Sequence, residues 1–206
     1  AIGSVILQAA VNGLGAVTVA AVTAGSKISS FCVAVTDALG ATMATYCGQN
    51  VGAGKLDRVR KGVKVATIIG IIYSVIVFVL MIFIGGELPK LFIDVSKADV
   101  IEKARIFLLW NSGFYFALIF VNVWRNSIQG MGFPMFAILS GVCEMFARGI
   151  VGFAGVKYFG FVAACMGSPL AWIIADIFLI PGFLYCLKKL GKIFGEKQTR
   201  EEFQYE

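Results

Sequence analysis

The sequence predicts an all-α polytopic bundle of transmembrane helices, and three observations carry that prediction. Hydrophobic residues make up 59% of the chain and charged residues only 15%, against about 25% charged in an average soluble domain. Mean hydropathy is +0.86. Val65 to Gly86 runs without a single charge, and a helix needs about 20 apolar residues to cross the hydrocarbon core. Finally, the basic residues collect in two short stretches flanking apolar spans, Lys55 to Lys64 and Lys188 to Lys192. That placement is the charge asymmetry of membrane topology and not a nucleic-acid footprint, although the net charge is +6.

Element by element, the reading gives one partial span and five complete ones. Ala1 to Val11 is apolar but reaches only about 17 Å at the helical rise of 1.5 Å, half the core or little more. With no charged leader before it, a cleaved signal sequence fits poorly, and the expectation is a piece that begins in mid-helix. Asn12-Gly13-Leu14-Gly15 supplies a turn. A second helix, Ala16 to Gln49, is longer than the bilayer is thick, so it should tilt, kink near Ser26 to Ser30, or protrude. Gly48 to Gly62 then forms a glycine-rich turn leading into the cluster Lys55, Arg58, Arg60, Lys61 and Lys64, with Asp57 as its one acid. The third helix, Val59 to Gly85, delivers the chain to the outside. In the connection from Glu87 to Arg105, broken by Pro89, Glu87, Asp94, Asp99 and Glu102 balance Lys90, Lys97, Lys103 and Arg105, as an outer loop should.

A fourth helix, Ile106 to Gln129, returns to Gly130-Met131-Gly132-Phe133-Pro134. The fifth spans Met135 to Val156 and the sixth Phe161 to Leu187, so both basic clusters land on one side. The bundle thus occupies residues 1–192 and a polar tail 193–206, with Glu196 to Glu206 solvated. Loop and C-terminus are assigned to the cytoplasm of a multi-pass protein of the cell membrane.

Composition also excludes chemistry. Histidine is absent, which removes Ser-His-Asp and Cys-His nucleophiles and His-containing zinc sites. The five cysteines lack any Cys-x-x-Cys spacing and read as small core residues, not metal ligands or disulfides. The glycine-rich turn departs from a P-loop at Gln49 and Leu56 and from a dinucleotide fingerprint at Asp57. No catalytic residue, metal site or cofactor is expected, and the chain is not read as an enzyme.

What remains is the set of ionisable residues inside the spans. Counting helical rise from the inner ends places Asp37, Glu144, Arg148 and Asp176 about 15 to 21 Å deep, near the midplane. A charge there costs about 2.5–3.5 kcal/mol or more, so these groups should face the bundle interior or a wet cavity, with partners. Glu144 and Arg148, spaced i, i+4, can pair. Two readings stay open: Glu144, Arg148 and Asp176 as a structural ion cluster clamping the fifth helix to the sixth, or as part of proton or cation coupling. Asp37 has no basic partner on its own helix and reads as an unpaired buried carboxylate, a proton carrier. Lys27 lies nearer the outer face, and Arg125, two turns from the inner end, is expected to snorkel. Asn111, Ser112, Asn122 and Asn126 read as interhelical hydrogen-bond glue before substrate contacts. Trp110, Phe114, Tyr115, Phe116 and Phe120 read as core or lipid-facing before a cavity lining for flat cations.

Gly48-Gln49-Asn50-Val51-Gly52-Ala53-Gly54-Lys55 resembles the turn after the second helix of each lobe in the multidrug and toxic compound extrusion (MATE) family. Asp37 to Thr45 leads into it much as in bacterial members, Glu144 with Arg148 resembles the family's Glu-x-x-x-Arg, and Pro169-Leu170-Ala171-Trp172-Ile173 the start of its last helix. The resemblance implies a twelve-helix antiporter of two six-helix lobes, exporting drugs or other small organic molecules, cationic ones among them, against inward Na⁺ or H⁺. This chain would be the second lobe with its first helix truncated, needing a lipid bilayer and the missing N-terminal six-helix lobe as partners. Acidic ligands that some members carry on the seventh and tenth helices have no counterpart in Ala1 to Val11 or Ile106 to Trp124. The alternatives are a lipid or lipid-linked oligosaccharide flippase of the same superfamily, or a non-transporting membrane assembly subunit. Single cysteines placed between Lys55 and Lys64 of the intact protein should react with impermeant maleimide only from the cytoplasm; labelling from outside overturns the topology.

Overall fold

The computed structural model describes the backbone of residues 2–204 and the side chains of residues 3–195. Among the described residues the chain is helical without a strand: α1 (Ile2–Asn12), α2 (Ala16–Gly52), α3 (Leu56–Ile84), α4 (Ala98–Gly113), α5 (Tyr115–Gly130), α6 (Pro134–Ile150), α7 (Val156–Phe159) and α8 (Phe161–Gln204). Four stretches are long and apolar enough to cross a membrane, α2, α3, Pro134–Phe159 and the Phe161–Gly195 part of α8. The bent pair α4 and α5 makes a fifth span, and α1 is a shorter apolar helix. By length and composition this is one short apolar helix with four spans, or five when the bent pair crosses as one, in the order the sequence reading gives.

Turn chemistry explains the two junctions at the basic end. After α2, Gly54 adopts φ +69°, its N–H donates to Val51 O at 2.9 Å, and Lys55 N–H donates to Asn50 O at 2.8 Å. That pattern is a Schellman cap, which needs a residue free to take a left-handed backbone. After α5 the cap recurs: Gly132 has φ +92°, with Gly132 N–H on Gln129 O at 3.0 Å and Phe133 N–H on Ile128 O at 3.2 Å. Both caps satisfy carbonyls that would otherwise be orphaned at a helix end. Lys64 and Lys188 border a common groove, so the two basic clusters do sit at one end of the bundle.

The spans differ from the sequence reading at three places, and α2 excludes the kink among the three alternatives offered for it. The fourth span begins at Ala98, eight residues earlier than Ile106, and is broken, with α4 and α5 meeting at 48°. Its break carries no proline; Phe114, after Gly113, sits at φ −107°, ψ 11°, outside the helical well. The fifth span passes through a π-helical segment, Val151–Gly155, where Gly152 lies against α1 at Ile6; such bulges let a helix shift its register around a close neighbour. α8 continues beyond Leu187 to Gln204, because Lys, Leu, Glu, Gln and Arg remain good helix formers after leaving the membrane. The solvated character expected of 196–206 concerns side chains outside the described residues. α2 is one unbroken helix of 37 residues, about 55 Å long.

Two prolines lie inside α8, Pro169 and Pro181. Pro169 cannot donate to the carbonyl four residues back, Cys165 O. Asn111 on α4 sends its amide there instead, at a long 3.5 Å, while also donating to Phe107 O at 3.0 Å. In hydrocarbon a freed carbonyl needs such a partner. Asn111 is therefore an interhelical tie from α4 to α8, as the glue reading expects.

The core is centred on α5, which packs on α2, α3, α6 and α8. Its closest neighbour is α2, where Gly40, Ala44 and Gly48 form a ridge of small residues spaced i, i+4. A Cβ on Gly40 would come within 2.9 Å of Asn122 O, and one on Gly130 would run into the Ala44 carbonyl. Cys47, Cys165 and Cys186 are buried and Cys32 and Cys143 half-buried, all as free thiols. Gly130→Val should cost about 1–3 kcal/mol by overpacking a backbone contact, read as a lower unfolding temperature in detergent. Gly141→Ala, whose new Cβ meets nothing within 4 Å, should instead match or exceed the parent by up to about 1 kcal/mol.

Candidate functional site

Two helices of the bundle present opposite kinds of surface. Along α3 the outward residues are Val65, Ile68, Ile69, Ile72, Val75, Ile76, Val79 and Leu80, an unbroken apolar stripe suited to acyl chains. Along α2 the exposed residues include Thr23, Ser26, Lys27, Ser30, Asp37, Thr42 and Thr45, interleaved with Ala34, Ala38 and Ala41 and with two large apolar side chains, Phe31 and Val35. The hydroxyls of Ser30, Thr42 and Thr45 donate to carbonyls of their own helix, but an ionisable group within a span is rarely turned to hydrocarbon. The part of α2 that carries Lys27 and Asp37 therefore calls for water or another polar surface.

Asp37 stands on that face. It is exposed on this chain, not buried as the sequence reading has it; among the described residues no basic side chain pairs with it, but it accepts a hydrogen bond from a neutral amide. The buried Asn122 amide on α5 donates to Asp37 Oδ1 at 2.9 Å and to Thr36 Oγ1 at 2.8 Å, using both of its hydrogens. Residue count along a helix fixes depth, whereas rotation about the helix axis decides exposure, hence the difference. Asn126 supports the arrangement by donating to Asn122 O at 2.7 Å.

One turn further along α5, Arg125 turns inward rather than snorkelling. Its Nε donates to Ser140 Oγ at 2.8 Å and its Nη2 binds Glu144 Oε1. The other carboxylate oxygen, Glu144 Oε2, is held by Arg148 Nη1 at 3.0 Å. Glu144 is only 7% exposed. A buried carboxylate without partners costs several kcal/mol, so pairing outweighs the pull of the interface on Arg125. The i, i+4 pair Glu144 and Arg148 forms as expected, but the third member of the cluster is Arg125, not Asp176.

Asp176, on α8, makes no ion pair among the described residues. Its Oδ1 is buried without a hydrogen-bond partner, though the carboxylate feels the charges of Arg125 and Glu144. Taken together, Arg125, Glu144, Arg148 and Asp176 carry two positive and two negative formal charges. Asn122 and Arg125 are three residues apart, about 4.5 Å of rise. The Asp37 contact and the Glu144 cluster therefore share one level of the membrane, tied through one face of α5. Lys27 is exposed on α2 ten residues away, beside Asp94 and Lys97 of the opposite end.

The aromatic residues resolve mostly into packing. Tyr115 is fully buried against Trp172 at 6.1 Å between ring centroids, and Trp124 packs on Phe183 at 4.8 Å. Trp110, exposed on α4, stacks on Phe114 at 6.4 Å, and Phe114 packs in turn against the core. Asn122 is the interhelical tie that the glue reading expects, Arg125 was placed at the interface and joins the cluster instead, and Ser140 is the one site residue absent from the sequence reading. Their signal was present: Asn122, Arg125 and Asn126 at i, i+3, i+4, and Ser140, Glu144 and Arg148 at i, i+4, i+8, define facing polar stripes. Glu144→Gln should destabilise the protein by about 3–5 kcal/mol, because two guanidiniums lose their shared counter-charge. A detergent unfolding curve unchanged from the parent would show that the cluster does not hold α5 to α6.

Comparison with known proteins agrees with this geometry. The MatE family model matches residues 1–153. Among solved structures, the chain is similar to MATE in the straight conformation, with a TM-score of 0.77 at 20% identity over 86% of this chain and 39% of that one. It is similar also to the inward-facing conformation of a multidrug resistance MATE family transporter of the MOP superfamily, at 0.75 and 19% over 87% and 41%. A MOP superfamily transporter from Pyrococcus furiosus, described as having a binding pocket of reverse polarity that suggests a different function, gives 0.73 and 19% over 86% and 39%. At these identities the likeness establishes the fold, and the chain spans about two fifths of each relative's length. No curated protein matches the chain. With its family model covering most of its length and its bundle superposing on one lobe, the chain belongs to the MatE family of membrane transporters.

Proposed function

We propose that the chain is one lobe of a cation-coupled antiporter that exports small organic molecules, cationic ones among them, against an inward gradient of Na⁺ or H⁺. The observation that carries this reading is Asp37: a carboxylate at mid-membrane level, on an exposed polar face of a spanning helix, oriented by Asn122. A partner lobe laid against α2 would enclose that face in a cavity, where the carboxylate would attract cations through a low-dielectric medium. Asp176 is the second coupling candidate. Its unpartnered buried oxygen is the kind of group that a carried proton or cation satisfies. Taking up one positive charge there would unbalance the Arg125, Glu144 and Arg148 cluster by one unit, linking ion occupancy to the packing of α5, α6 and α8.

A flippase for anionic lipid-linked substrates is favoured by one feature, the exposed Lys27 on the same face of α2. It lies about 15 Å from Asp37, toward the outer end, and leaves the central level to the carboxylate.

Efflux of a cationic dye from cells or everted vesicles containing the full-length protein tests the proposal. Asp37→Asn and Asp176→Asn should each insert normally and lower gradient-driven efflux about tenfold, within the usual range of a coupling free energy between two sites. Ionophores that collapse only the Na⁺ or only the H⁺ gradient should separate the coupling ions. Full efflux by both variants would remove these carboxylates from the mechanism. Loss of transport in Lys27→Gln alone, with an anionic lipid as cargo, would favour the flippase.

A further inference from the structure

A groove of about 730 Å³ opens on the outside of the bundle between α3 and α8, well away from the polar face of α2. Its walls are apolar, with Ile68 on α3, Phe183 and Leu184 on α8, and Trp124 of α5 as the floor. Thr67, the polar side chain of the wall, is already satisfied: it accepts from Trp124 Nε1 at 3.1 Å and donates to Val63 O at 2.8 Å. At the mouth stand Arg60, Lys64 and Lys188, all exposed and none of them ion-paired among the described residues. Arg60, Lys64 and Ile68 follow one another at i, i+4, i+8 on one face of α3, so the groove changes from cationic to apolar over about 12 Å. One leaflet of hydrocarbon is about 15 Å thick. The stripe of α3 that flanks the groove is the apolar one, turned to acyl chains.

We propose that a phospholipid with an anionic headgroup occupies this groove, its phosphate between Arg60, Lys64 and Lys188 and one acyl chain lying along Ile68, Leu184 and Trp124. Charge complementarity identifies the occupant. Three cations without counter-ions at the level of the headgroups, above an apolar slot one leaflet deep, match a lipid phosphate joined to a chain. A zwitterionic lipid offers the same chain but no net charge, and a soluble anion offers the charge but nothing for the slot. Held there, the lipid bridges α3 to α8, two helices that touch each other little.

Native mass spectrometry of the full-length protein, titrated with phosphatidylglycerol or with phosphatidylcholine of the same chains, tests the assignment. The parent should retain phosphatidylglycerol in preference. Replacing Arg60, Lys64 and Lys188 together by Gln should weaken that retention about tenfold or more, since each basic residue near an anionic lipid contributes about fivefold. Replacing Lys55, Lys61 and Lys192 by Gln removes as much charge from the same end without touching the groove, and should leave the preference intact. Leu184→Trp, which fills the slot but keeps its cations, should reduce retention of both lipids. Equal losses in the two triple variants would reduce the effect to general surface attraction and overturn the proposal, as would retention that Leu184→Trp leaves unchanged.

Discussion

Glu144 can be buried at the middle of the membrane only because two guanidiniums reach it from different helices, and much of the architecture follows from that one constraint. Arg125 must point from α5 into the α5–α6 contact to meet it. Once Arg125 is fixed, the rotation of α5 about its axis is fixed too. Asn122, one turn away, then faces α2, where its amide can serve Thr36 and Asp37. A single ion cluster thus sets which way a carboxylate on a neighbouring helix is presented. The pair network need not stabilise the fold relative to an apolar substitute. What it supplies is a unique orientation, and the exposed polar face depends on that orientation.

Close backbone approach makes this geometry available. Asn122 can span from α5 to Asp37 because Gly40 and Gly130 remove side chains where α2 and α5 cross. With no hydrophobic effect between helices in lipid, such contacts rest on packing and hydrogen bonds. The prolines of α8 show the complementary device. Pro169 strips one carbonyl of its helical donor, and Asn111 of α4 supplies another from outside the helix. Breaks at Phe114 and at Val151–Gly155 are likewise spent where neighbours crowd, α4 against α3 and the π segment against α1.

The number of spans, their order and the common side of the two basic clusters were legible from hydropathy and charge, because length and desolvation fix them almost independently of packing. The Glu144 and Arg148 pair was legible for the same reason: its geometry is internal to one helix. What could not be read was rotation. Depth along a helix is a count of residues, but the direction in which Asp37 or Arg125 points depends on neighbours hundreds of atoms away in the chain. Hence Asp37 was expected buried and is exposed, and Arg125 was expected at the interface and is inside. The break at Phe114 escaped because it lacks a proline, and the continuation of α8 because an exit from the membrane changes solvent without changing backbone preference.

Rotation also separates the two surfaces on which function would depend. α2 and α3 are joined by three residues, yet one presents Asp37 and Lys27 among hydroxyls, with Phe31 and Val35 beside them, and the other an unbroken aliphatic stripe. A lone bundle in a bilayer would expose both to acyl chains, and the α2 face would then leave the Asp37 carboxylate in hydrocarbon, though the hydroxyls of Ser30, Thr42 and Thr45 bond within their own helix. The same face costs little against a second protein surface or a water-filled cavity. Lipid therefore suffices as solvent on the α3 side, whereas on the α2 side the Asp37 carboxylate, held by one Asn122 hydrogen, favours a polar surrounding.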